Sequence, residues 1–187
     1  MGRSDILLSL YEKTNPFGNE KYIFLGKWVA ETMMTIDEHN GKGSPKSIKY
    51  KELIKFLLRK YGKIIGVGSF RAVLTTNAGY VVKAPLCQDG EKDNHKEYEL
   101  FKRSKNASHY ASCKIATVLG FPVLFMEELH DMHRGTSGDV DWKVIDTQDP
   151  DDPYWIQKLD ASQIGVSASG RLKAYDYASD AFGKRIK

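Results

Sequence analysis

Apolar side chains recur at helical spacing through the first third of the chain and at strand spacing through its middle, with the change near residue 63. Tyr22, Ile23, Leu25, Trp28, Val29, Thr32, Met33 and Ile36 keep close to a 3.6 period, which predicts a long helix that Asn19 can cap. A shorter helix is expected over Asp5–Lys13, stopping before Asn15-Pro16. Gly41-Lys42-Gly43-Ser44-Pro45 predicts a loop. It has neither the preceding strand nor the Gly-Lys-Ser/Thr ending of a phosphate loop. A second, basic helix is expected from about Ser47 to Lys60, with Ile48, Leu53, Phe56 and Leu57 inward and Lys49, Lys51, Lys55, Arg59 and Lys60 exposed.

Past residue 63 the pattern turns to strands. Ile64-Ile65 leads into Gly66-Val67-Gly68-Ser69-Phe70, and Arg71-Ala72-Val73-Leu74 continues the strand. Thr75-Thr76-Asn77-Ala78-Gly79 turns the chain back, since Asn and Gly tolerate positive φ. Tyr80-Val81-Val82 is a β-branched and aromatic return strand ending at Lys83. Two glycines let backbone lie close over a ligand, and the lysine one strand later sits beneath them. Such geometry suits a nucleotide phosphate. A polar loop is expected from Pro85 to Asp93, then a helix capped by Asn94 that carries Glu97 and Glu99. A helix turns about 100° per residue, so only one of the two can face inward. Cys113–Leu119 and Pro122–Met126 read as strands around Gly120-Phe121 and lead into Glu127-Glu128-Leu129. Residues 131–153, rich in Asp, Gly and Pro, predict an irregular stretch with a short helix or excursion around Val140–Ile145. A last hairpin is expected where Trp155–Val166 meets Arg171–Ala178 across Ser167-Ala168-Ser169-Gly170. The fold class is α+β.

The order of these elements resembles the small lobe of protein kinases. Gly66, Gly68 and Val73 fall in register with Gly-x-Gly-x-x-Gly-x-Val, and Val81-Val82-Lys83 stands for the lysine strand. At the family level the chain is similar to small, divergent kinase-like proteins of bacteriophages, over roughly residues 63–180. The resemblance implies a kinase-like lobe at 63–129, an acidic linker at 130–153 and a catalytic-loop-like hairpin with an Asp-Tyr-Ala segment at 154–187, behind a helical segment at 1–62. It implies ATP and Mg²⁺ as cofactors. Backbone at Gly66 and Gly68 would cover the phosphates, Lys83 would hold them, and Glu97, ahead of Glu99, would orient Lys83. Met126 would be the gatekeeper, and backbone from Glu127 to Leu129 the hinge for adenine. Asp176 of Asp176-Tyr177-Ala178 would bind Mg²⁺.

The pattern departs from the family in three places. Arg71 replaces the third glycine. Gln163 stands thirteen residues before Asp176, in the place of the metal-binding Asn, where its amide oxygen could coordinate. Lys158 stands where the catalytic Asp belongs, with Asp160 two residues out of register as a shifted base. The chain runs 11 residues past Asp176, so the resemblance implies neither an activation segment nor a helical large lobe.

Composition adds location and partners. A chain of 187 residues with 41% hydrophobic and 11% aromatic content can fill a core, which excludes global disorder. The net charge of +4 is unevenly placed: residues 1–64 carry 12 Lys/Arg against 7 Asp/Glu, and residues 127–160 carry 3 against 10. No signal peptide or membrane span is expected, and Cys87 and Cys113, lacking CxxC spacing, point to a reducing, cytoplasmic compartment. The Asn106-Ala107-Ser108 sequon would there stay unmodified. His130-Asp131-Met132-His133 offers metal ligands at i and i+3 but has no second cluster to complete a site. Three functions stay open. One is a pseudokinase-like binding or regulatory module acting through a protein partner. Another is a minimal ATP-dependent phosphotransferase using Lys83, Asp160 and Asp176. The third is nucleic-acid binding through the basic helix at 47–63. Oligomeric state is not legible.

Overall fold

The computed structural model describes residues 20–104, 109–131 and 163–177. Helices α1 (Glu20–Asn40) and α2 (Pro45–Tyr61) precede β1 (Lys63–Val67), β2 (Arg71–Thr75) and β3 (Tyr80–Pro85). Then come α3 (Gln88–Arg103), β4 (Cys113–Val118), β5 (Phe121–Glu127) and β6 (His130–Asp131), with β7 (Ile164–Val166) and β8 (Leu172–Ala174) last. An antiparallel five-stranded sheet runs β1-β2-β3-β5-β4, and a three-stranded one runs β6-β7-β8. The protein is α+β. Among the described residues no helix is long and apolar enough to cross a membrane.

Period-2 alternation gives the large sheet two working faces. Ile64, Ala72, Leu74, Val82, Ala84 and Val123 point to a core filled by Ile36 of α1 and Tyr50, Leu53, Ile54 and Leu57 of α2. Helices α1 and α2 and the strands that follow thus share one core. The opposite face puts Leu124 and Met126 into a second core with Cys113, Ile164, Leu172 and Tyr177. Cys87 and Cys113 are buried free thiols.

Helix α2 starts where Ser44 accepts a hydrogen bond from the Ser47 N–H at 3.0 Å, with Pro45 in its first turn, and it stops at Gly62 (φ 95°). Its inward face differs from expectation. Ile48 is 53% exposed and Phe56 half-buried, while Tyr50, Leu53, Ile54 and Leu57 are buried. An i, i+3, i+4, i+7 stripe beginning at Tyr50 puts Ile48 roughly 200° away. Helix α1 runs as the period predicts, with Thr32 and Ile36 buried, although Asn19 and the 5–13 helix lie outside the described residues.

The stretch expected as a polar loop at 85–93 is mostly helix, since α3 begins at Gln88. Asp89 and Glu91 in its first turn favour the helix N-terminus. Gly90 is where α3 crosses the β1–β2 hairpin, and a Cβ there would lie 2.2 Å from the Phe70 carbonyl oxygen. Asn94, expected as the cap, sits inside the helix. Its amide donates to the Lys83 and Pro122 carbonyls at 3.0 and 2.9 Å, clamping α3 to β3 and β5. The strand pair expected near 113–126 forms as β4 and β5, turned by Leu119 and Gly120, both at positive φ (50° and 85°). Phe70, whose ring would stabilise the core if buried, is instead 37% exposed beside the His39 ring.

Candidate functional site

The register of two hairpins brings the charged residues together. Val73 pairs with Lys83 across β2 and β3, so Arg71, two residues before Val73, shares a sheet face with Lys83. Helix α3 turns Gly90, Asn94 and Glu97 toward that sheet at 4- and 3-residue spacing. Glu97 is fully buried, whereas Glu99 points outward toward Arg103 at 3.7 Å. Glu97 is therefore the inward glutamate.

Glu97 holds two cations. Lys83 Nζ lies 2.9 and 3.1 Å from its carboxylate oxygens, and Arg71 Nη1 lies 3.0 Å from Oε1. Arg71 Nη2 donates to Asp176 Oδ1 at 2.9 Å, and Lys83 Nζ is 3.9 Å from that oxygen. Lys83 also donates to the Tyr175 carbonyl. Arg71 Nη1 is buried and, despite its contact with Glu97, makes no hydrogen bond in acceptable geometry. Two cations and two anions thus form one network, closed on three sides by β2, β3 and α3.

Burial sets the protonation tendencies. It pulls Lys83 below the ordinary lysine range, with Arg71 adding to the fall and Glu97 opposing it. Burial pushes Glu97 above the ordinary carboxylate range against the pull of Lys83 and Arg71. Burial would raise Asp176 too, but Lys83 and Arg71 outweigh it and leave its carboxyl low. Arg71 is raised, because Glu97 and Asp176 overcome its burial.

This network floors a cleft of about 720 Å³ roofed by Gly66, Gly68 and Phe70 and walled by Val73, Val81 and Met126. Glu127, Leu129 and Asp176 lie along its rim with Asp93 and Lys96. A Cβ at Gly66 would meet nothing within 4 Å, and one at Gly68 would come no nearer than 3.7 Å. Neither glycine has positive φ. The fold itself does not demand them. The hairpin is propped from behind by His39, whose Nε2 is 2.8 Å from the Ser69 carbonyl.

The cleft is lined by Gly66, Gly68, Lys83, Glu127, Leu129 and Asp176, with Glu97 buried behind Lys83, each expected from sequence. At the rim the Glu127 N–H donates to Ser112 and the Glu128 N–H to Gly79, so neither is available to a base. The Glu127 carboxylate is held below its ordinary range, since Lys173 at 2.6 Å and Ser112 outweigh its burial. Asp176 is anchored by Tyr177, fully buried, whose hydroxyl donates to the Ala111 carbonyl at 3.1 Å. Gln163 is not among the described residues lining the cleft, and its carbonyl accepts from Tyr175 N–H across the β7–β8 hairpin. Asp160 and Lys158 lie outside the described residues, as do Met132, His133 and the 140–145 excursion.

Among the described residues no group of three or more Asp, Glu, His or Cys could hold a metal ion, and Asp176 already neutralises Arg71. On α2 the basic face is partly committed. Lys51 pairs with Asp37 at 2.6 Å and Lys55 with Glu52 at 2.9 Å. Sequence reasoning missed Arg71 and Asn94 as members of the site. The hairpin register could have found Arg71, since any side chain an even number of residues from Val73 shares the face of Lys83. Comparison with protein-family models, curated proteins and solved structures found no match for this chain.

Proposed function

We propose that the protein is a nucleotide-binding regulatory module with a kinase-like small lobe, which signals through a macromolecular partner and does not transfer phosphoryl groups. The observation that carries the reading is the buried Lys83–Glu97 pair at the floor of a glycine-roofed cleft. A buried lysine held at 2.9 Å by a helix carboxylate is a fixed cation facing a pocket of nucleotide size. The strand order β1-β2-β3-β5-β4, with α3 between β3 and β4, supports the kinase-like comparison. Gly66 and Gly68 support close ligand approach, because the fold has no steric need of them. Arg71 argues against turnover, since it already occupies the carboxylate that phosphoryl transfer would assign to a metal.

The test is thermal stabilisation by ATP of the parent and of Lys83→Ala. ATP at 100 times its Kd adds about 2.7 kcal/mol to the parent, and Lys83→Ala loses that increment from its own lower baseline. Equal stabilisation of both proteins would remove Lys83 from the site and refute the reading.

A further inference from the structure

We infer that the cleft binds the phosphate chain of its nucleotide without a divalent cation, with the Arg71 guanidinium supplying the charge a metal would bring. The inference rests on the nucleotide-binding reading above and specifies how that site handles phosphate. A divalent ion on a nucleotide is held by the phosphates, waters and one or two protein carboxylates, which must be free to coordinate it. The cleft instead has Asp176 with a guanidinium 2.9 Å from its oxygen and an ammonium 3.9 Å away. An ion placed at Asp176 would face two cations.

Arg71 itself is suited to phosphate. A guanidinium meets phosphate oxygens through a planar fork of N–H donors. Glu97 and Asp176 hold its two terminal nitrogens at 3.0 and 2.9 Å, which fixes the guanidinium plane where it lines the cleft. Register puts Arg71 on the Lys83 face of the sheet, so both cations address one phosphate chain from β2 and β3. A glycine at position 71 would leave that charge to come from solution.

The experiment is isothermal titration of the full chain with ATP, in EDTA and in excess Mg²⁺, with adenosine as the control lacking phosphate. The parent is expected to bind ATP at least as tightly in EDTA as in excess Mg²⁺, where the cation masks phosphate charge, and adenosine more weakly. Arg71→Gly is expected to lose about 10- to 100-fold in EDTA, the scale of charge-assisted hydrogen bonds. Should Arg71→Gly fail to fold, Asp176→Asn serves instead. Removing the competing carboxylate releases the guanidinium, so ATP binds several-fold tighter in EDTA, whereas a metal-dependent site would lose ATP affinity in excess Mg²⁺. ATP binding by the parent that requires Mg²⁺, or adenosine binding as tightly as ATP, overturns the inference and leaves the nucleotide reading standing. No binding of ATP or adenosine in either medium overturns both.

Discussion

Glu97→Gln tests the network at its centre. The substitution keeps the side-chain shape and one acceptor oxygen but removes the negative charge between Lys83 and Arg71. Lys83, only 4% exposed, would keep the Tyr175 carbonyl and an Asp176 oxygen at 3.9 Å. Breaking a buried ion pair by removing one partner costs roughly 3–5 kcal/mol, and the retained amide oxygen puts the expected loss at about 3 kcal/mol. That is a large share of the 5–15 kcal/mol typical of a domain, so urea denaturation at pH 7 resolves it readily. The loss also has a pH signature. Lys83 already titrates below its ordinary range, and without Glu97 it falls further. The unfolded chain of the variant then binds the extra proton, so stability rises with pH toward the ordinary lysine value of about 10.4. The gap to the parent therefore narrows between pH 7 and 10. A variant within about 0.5 kcal/mol of the parent at pH 7, or a gap unchanged by pH, would refute the buried network.

Gly90→Ala inverts the usual helix rule. Alanine normally gains about 0.5–1 kcal/mol inside a helix, but here its Cβ would meet the Phe70 oxygen at 2.2 Å and the Pro85 Cα at 3.2 Å, both backbone atoms. We expect a net loss of about 1–3 kcal/mol by chemical denaturation, and an unchanged or raised stability would show that α3 does not cross the hairpin. Asp176 contributes to the acid limb of the stability curve. Its native pKa lies below the unfolded value, so its contribution is present above about pH 4 and is lost as pH falls through the native value. Asp176→Asn should flatten the decline in melting temperature on acidification, and a limb as steep as the parent's would exclude the Arg71 contact.

The sequence alone determined what local chemistry controls. The α1 stripe through Thr32 and Ile36 follows from its 3.6 period, and the turns after β2 and β4 are marked by Gly79 and Gly120, which accept positive φ. The placing of Gly66 and Gly68 over Lys83 follows from one short hairpin. Spacing also limited the inward glutamate to Glu97 or Glu99. Tertiary structure decided the rest. Ile48 faces solvent because the stripe of α2 is set by the sheet it packs on, and apolar character alone does not say which stripe wins. Helix α3 starts at Gln88 because Gly90, a loop signal by itself, is needed where the helix passes under the Phe70 carbonyl. Arg71 reads as a missing glycine until Asp176, 105 residues away in sequence, closes the network around it. No local preference encodes that contact. It exists because folding buries Glu97 and brings the half-exposed Asp176 to the same side of a sheet, and buried charge must be balanced by whatever cations that face presents.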